Sequence, residues 1–371
     1  MKFSLTKSKF SQALQSVLQV VPNKTTLPIL SNILVEALEG KLKLSATDLD
    51  MSISASVDAT VSRKGSVAVP ARILSEIVRE LPEAELHVES TGNRVELKIP
   101  NGSYKIASVS PDDFPKLPVI NSKKEVKVGG EELVKMIRKT TFACSTDETR
   151  PALNGVLWQQ KGEKMIMVAT DGHRLARVAS TTAKLKGVTE DLIIPPKVLN
   201  LIPKFVDAAK EKEIGVIFGD NSIIFNLGET VLTSRLLEGP YPNFEQVIPQ
   251  TADKKLTINR EELAGAVRRV SILSNALTHQ VRFSIKKGSV TLSTNNADVG
   301  GEGRETLNCD FVGEALELGY NAIYIQEILG KIEGAEVSFD LSSPVAAGVI
   351  YSPLLSREDF LCLVMPLRLA D

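Results

Sequence analysis

The chain has 371 residues, 43% apolar, 24% charged and 5% aromatic, with a formal net charge of −1. That composition excludes a disordered or membrane-spanning chain, allows two or three domains with aliphatic cores, and denies any nucleic-acid function a basis in global basicity. Cys144, Cys309 and Cys362, like His87, His173 and His279, are scattered, so neither a disulfide framework nor a zinc cluster is expected, and no metal or cofactor.

The N-terminal MKFSLTKSKF lacks the apolar region of a signal peptide, which predicts a cytoplasmic protein. A helix follows in KFSQALQSVLQVV, where Phe10, Leu14, Val17, Leu18 and Val21 recur at spacings of three and four. LEGKLKLSATD (38–48) reads as a glycine turn and a half-buried strand, with Leu42 and Leu44 alternating. VPARILSEIVREL begins a second helix at Pro70, then HVEST, RVELKI and YKIAS alternate as strands and SPDDFPKLP closes the segment.

The design then returns twice. EELVKMIRKT places Leu133, Met136 and Ile137 on one helical face, and EELAGAVRRV does so with Leu263, Val267 and Val270, Asn259 and Glu262 forming a candidate capping box. QKGEKMIMVATD (160–171) and KKGSVTLSTNN (286–296) repeat the hairpin, and IPPKVLNLIPKF and NAIYIQEILGKI repeat the second helix from Pro195 and Asn321. Corresponding positions lie about 125 residues apart, the mark of an internal repeat. Pro203 inside the middle copy is expected to end that helix early. The fold class is therefore α+β: three repeats, each with two helices packed on antiparallel sheets, spanning 1–120, 121–250 and 251–371.

Basic residues recur on equivalent helices. Arg138 and Lys139 in repeat two match Arg268 and Arg269 in repeat three, and Arg72 and Arg79 in repeat one match Lys197 and Lys204 in repeat two, whereas Ile323 and Gly330 occupy those places in repeat three. Seven residues make two helical turns, so each such pair shares a face. A shared electropositive surface would attract a polyanion through its phosphates without reading sequence.

Catalytic patterns are absent. GGEGRE (300–305) lacks the third glycine of a dinucleotide loop, and there is neither a GxxxxGK[ST] loop nor a G-x-S-x-G elbow. ATDGHRLA (169–176) suggests an acid–base pair in Asp171 and His173, or a thiol–histidine pair with Cys144. Yet SATDLDMS (45–52) repeats its frame without the His-Arg pair. His173 and Arg174, confined to the middle copy, are candidates for binding.

The landmarks TLPIL (26–30), ATDLDMSI (46–53), VPAR (69–72), PDDFP (111–115), ETRPALNG (148–155), VATDGHRLA (168–176), YPNF with VIP (241–249), ILSN (272–275), GYNAIY (319–324) and VMPLRL (364–369) span the chain. In that order and spacing they resemble the bacterial DNA polymerase III beta subunits, the sliding clamps. The resemblance implies a head-to-tail homodimeric ring around duplex DNA, with no catalysis, that tethers the replicative polymerase, the clamp loader and repair proteins. A monomeric nucleic-acid-binding module of the same fold is the alternative. The resemblance places Lys24, Arg72, Arg138, Lys139, Lys197, Lys204, Arg268 and Arg269 in or near the DNA channel. It sets Tyr104 and Ile106 against the partner's Ile272 and Leu273, with Glu302 and Glu305 facing basic residues such as Arg94. For partner peptides it implies a groove of Leu153, the turn residues Thr170, Gly172, His173, Arg174 and Leu175, then Pro242 and Val247, Val345 and Ala347, and the tail residues Val364, Met365, Pro366, Leu367 and Arg368. Gln246, where some relatives carry arginine, and the terminal Ala370 and Asp371 are departures expected to alter peptide preference.

Overall fold

A computed structural model describes residues 1–118, 125–182, 191–206, 213–296 and 300–369; Ala370 and Asp371 therefore lie outside the described residues. Among these, the α-helices are α1 (Lys7–Leu18), α2 (Ala71–Glu80), α3 (Gly130–Thr140), α4 (Pro196–Leu199), α5 (Ile202–Val206), α6 (Arg260–Ser271) and α7 (Ala322–Leu329). The chain divides into two compact units, 1–131 with 197–236 and 132–196 with 237–371.

The first unit holds a five-stranded and an eight-stranded sheet. In the smaller, Gly102–Ala107 is an edge strand beside Arg94–Ile99. In the larger, Met51–Asp58 pairs antiparallel with Thr230–Arg235, so strands from the first repeat and from residues 125–235 form one sheet. α1 packs on α2 and on Met51–Asp58. Phe10, Leu14 and Val17 are buried as the periodicity predicts, but the helix stops at Leu18 and Val21 lies beyond it, half-buried. The N-terminal end is held by Thr6, whose hydroxyl accepts from the Lys9 N–H at 3.5 Å.

The second unit holds a nine-stranded and a four-stranded sheet. Arg174–Ser180 pairs with Phe360–Val364 in the larger, and Gly301–Asn308 is an edge of the smaller. α6 packs on α7 and on the four-stranded sheet. Asn259 caps α6, its side chain accepting from Glu261 N–H and Glu262 N–H at 3.0 Å each. Pro203 falls in the first turn of α5, after a break between α4 and α5, where its missing N–H costs no helical hydrogen bond.

Within each of the two larger sheets, strands of successive repeats are joined by the same device. At each seam a strand entering from a Thr-Asp turn pairs with a strand of the following repeat: Met51 lies opposite Ser234, and Arg174 opposite Val364. The N–H just beyond then reaches back to the turn, Arg235 to the Asp50 carbonyl and Met365 to the His173 carbonyl, both at 2.8 Å.

Candidate partner-binding groove and nucleic-acid faces

The turn behind ATDGHRLA builds itself from two side chains. Thr170 donates its hydroxyl to the Arg174 carbonyl and accepts from the Gly172 N–H, while Asp171 Oδ1 accepts from His173 N–H and Arg174 N–H at 2.8 and 2.9 Å. Thr47 and Asp48 make the corresponding bonds to Met51, Leu49, Asp50 and Met51. The second position needs a left-handed backbone, φ 91° at Gly172 and 82° at Leu49. The shared ATD sequence is thus a structural element, and the chemistry that differs is at its end.

There Arg174 replaces Met51. Its side chain is only 9% exposed, and all three arms of its guanidinium are engaged. Nε donates to Asp171 Oδ2 at 3.1 Å, Nη2 to the Phe142 carbonyl at 2.6 Å, and Nη1 to Glu327 Oε2 on α7. The group also stacks 4.5 Å from the Tyr324 ring centroid and 5.3 Å from that of Phe142. Arg174 therefore fixes the wall of the expected groove rather than standing free in it. Cys144 gives no thiolate partner to His173: burial pushes its thiol up to about 12.

Other expected groove residues sort by burial. Leu175 belongs to the buried cluster with Val168, Phe244, Val349 and Leu363, and Ala347 and Tyr241 pack against it. Val364 is fully buried. Leu175 and Val364 are thus not open lining, a correction to their placement: Leu175 shares one face of the sheet with Leu363 and Val364 the other with Arg174, and both faces are covered there. Leu153 is also nearly buried, whereas Met365, Val247 and Val345 are 43%, 57% and 70% exposed. Thr170 and Pro366 are half-buried and His173, Pro242, Gln246 and Arg368 exposed. The structure brings together the turn, Ala347 beside the Gly348–Val364 pair, and the tail. The sequence reading missed Glu327, Tyr324, Phe142 and Tyr241; Tyr324 stood in GYNAIY, but its partnership with Arg174 had no local signal.

The tail is latched on Gly319. Leu367 N–H donates to the Gly319 carbonyl at 2.7 Å, and Gln280 Nε2 donates to the Arg368 carbonyl at 3.1 Å. A Cβ at Gly319 would lie 2.8 Å from the Leu367 carbonyl oxygen and 2.9 Å from Leu369 Cδ2. Gly319→Ala is therefore expected to lift the tail at a cost of about 1–3 kcal/mol. Trypsin should then cut after Arg368 faster than in the wild type; an unchanged cleavage rate would show that the tail absorbs the methyl group.

The basic residues form local groups. In the first unit Arg72 donates to Asn23 at 2.5 Å and Lys204 to Gln19 at 2.8 Å, both just past α1 beside exposed Lys24, while Lys197 pairs with Asp48. In the second unit Arg138, Arg268 and Arg269 are exposed. Lys139 corrects the expectation: its side chain is 7% exposed, lies 4.6 Å from the Phe360 ring centroid and pairs with Glu333 at 2.8 Å, so it offers no free face to a phosphate. That hydrogen bond holds the Glu333 carboxyl below its usual range.

Residues expected at a subunit joint lie on or next to two of the edge strands, Gly102–Ala107 and Gly301–Asn308. Tyr104 is exposed, but Ile106 is only 5% exposed and packs on the covered face of its sheet, a further correction. Ile272 and Glu302 are exposed and Leu273 half-buried. Glu305 is not free to face Arg94 of another copy, because Arg269 grips it bidentately at 2.8 Å. Leu277, which the sequence reading did not single out, is 90% exposed.

Three family models match the chain: DNA polymerase III beta subunit N-terminal domain at residues 1–118, central domain at 127–243 and C-terminal domain at 245–368. The beta sliding clamp of Chlamydia muridarum is 31% identical over the full length of both chains. That of Bacillus subtilis is 28% identical over 99% of this chain and 100% of its own. A sliding clamp from Bartonella birtlesii, solved bound to griselimycin, superposes with a TM-score of 0.95 at 32% identity, covering both chains completely. No described helix is long and apolar enough to cross a membrane.

Proposed function

The chain belongs to the DNA polymerase III beta subunit family, and from that premise we propose how its surfaces divide the family's work. It is a DNA sliding clamp, a non-catalytic processivity factor of DNA replication. The division into domains at 1–120, 121–250 and 251–371 follows the repeats, and the molecule works in the cytoplasm as a homodimeric ring.

The observation that carries the ring is the repeated seam. Strand Met51–Asp58 of the first repeat meets Thr230–Arg235, and Arg174–Ser180 of the second meets Phe360–Val364. Continuing the series leaves Gly301–Asn308 of the third repeat, which has no following repeat to meet, and Gly102–Ala107 of the first, which has none before it. Two copies joined head to tail give each of these edges a partner and close the assembly. The alternative of a monomeric module leaves both edges without a use.

Duplex DNA is held by Lys24, Arg72, Arg138, Lys197, Lys204, Arg268 and Arg269 without reading sequence. A closed ring needs no tight grip, since topology prevents sideways escape, and a weak grip permits sliding. Polymerase, clamp loader and repair proteins bind as short peptides with apolar anchors over Met365, Val247, Val345 and Ala347, beside the turn that carries His173. Tethering keeps a polymerase at its primer end at an effective concentration on the order of millimolar.

The test is topological. Protein loaded by its clamp loader onto a nicked circular plasmid is expected to stay bound through gel filtration and to leave when the plasmid is linearised. Retention on the linear form would overturn the clamp reading in favour of the monomeric module.

A further inference from the structure

We propose that Glu327 is a positioning residue of the partner groove, acting through Arg174 to hold both of its walls in register. The inference rests on the groove reading above.

The contacts run in one unbroken series. Glu327 on α7 takes one arm of the Arg174 guanidinium and Asp171 takes another. Asp171 in turn fixes the His173 N–H at 2.8 Å, and the His173 carbonyl accepts from the N–H of Met365 at 2.8 Å. The turn and the tail therefore take their spacing from a single buried cation, and α7 sets where that cation sits. Tyr324, one turn before Glu327, stacks on the same guanidinium and restricts it to one plane.

The repeats supply an internal control. The first seam has the same turn and the same backbone bond from the following strand, but Met51 stands in place of Arg174. Glu327 is the sixth residue of α7, and the sixth residue counted from the start of α4 is Leu201. Both Met51 and Leu201 are buried. At the first seam these two places are apolar and the turn reaches the equivalent helix through Asp48 and Lys197 instead, whereas at the second it does so through Arg174 and Glu327. The Glu327 side chain is 42% exposed, and ion pairs with one partner in water add little to stability, so the Arg174–Glu327 pair is not demanded by the seam. What it adds is directional: hydrogen bonds fix an orientation that methionine and leucine leave open.

The probe is griselimycin, with which the Bartonella birtlesii and Pseudomonas aeruginosa clamps were solved. Its affinity is measured by calorimetry on the full-length protein for wild type, Glu327→Gln, Glu327→Asp, Arg174→Met and the double variant Glu327→Gln with Arg174→Met. Glu327→Gln is expected to weaken binding about tenfold, as exchange of a charge-assisted for a neutral hydrogen bond on the guanidinium does. Glu327→Asp, which keeps the charge on a shorter arm, should fall between, and it serves if Glu327→Gln does not fold. In the Arg174→Met background Glu327→Gln should have no further effect, which a merely stabilising role would not produce. Equal affinity of Glu327→Gln and wild type, or additive losses in the double variant, overturns the proposal and leaves the groove standing. Failure of the wild type to bind griselimycin removes the groove reading itself, and this inference with it.

Discussion

Replacing Ile272 and Leu277 together by aspartate is expected to halve the mass of the protein in solution and abolish its retention on circular DNA, with little change in its unfolding temperature. The two residues are 77% and 90% exposed, so within one chain they bury little and their loss should cost the fold within about 0.5 kcal/mol each. They follow α6, whose end lies over the edge strand: Leu273 Cδ1 is 3.6 Å from where a Cβ on Gly303 would stand. Covering a large aliphatic side chain at a joint contributes about 1.5–3 kcal/mol. A carboxylate there loses that contribution and adds the cost of burying an unpaired charge. The joint occurs twice in a two-fold ring, so both closures fail together. Light scattering at micromolar concentration checks the outcome, and a persistent dimer would move the interface away from this patch.

The second large effect concerns salt. For Arg268→Ala the logarithmic dependence of equilibrium affinity for a short linear duplex on salt should become shallower by about 2 per ring, since each subunit gives up one phosphate contact worth a slope of about 0.9. Over a fourfold change in salt that is roughly a tenfold difference in relative affinity. Arg269→Ala should do less, because Glu305 already holds that guanidinium bidentately at 2.8 Å. Lys139→Met should leave the slope unchanged, its ammonium being spent on Glu333. An equal change from all three would mean that pairing within the chain does not govern which cations meet DNA.

These contrasts mark where sequence patterns ended. Spacing alone located α1, α3 and α6, the Asn259 cap and the break at Pro203, because each depends on neighbours within about a turn or two of helix. The Thr-Asp turn was legible for the same reason, and its recurrence separated the common frame from the added His173 and Arg174. Fates settled by distant residues were not. Arg174 finds Glu327 153 positions on, and Lys139 is neutralised by Glu333; neither pairing follows from residue type. Ile106 alternates with Lys105 as a core-facing residue does and lies opposite buried Val95, a sign that the family resemblance overrode. The joining of repeats through shared sheets was likewise silent, since the paired strands, such as those of Met51 and Ser234, lie far apart in the chain.

The Thr-Asp turn also has a practical side. Its shape depends on two side chains, Thr47 with Asp48 or Thr170 with Asp171, and the residues between are left to choose. In engineering terms it is a socket with interchangeable inserts. The first seam carries Leu-Asp-Met in it, with Leu49 held at φ 82° where a glycine would sit unstrained. Writing Gly-His-Arg into that socket, with glutamate at Leu201 to receive the arginine, would transplant the wall of one seam onto the other and give each subunit a second place to anchor cargo.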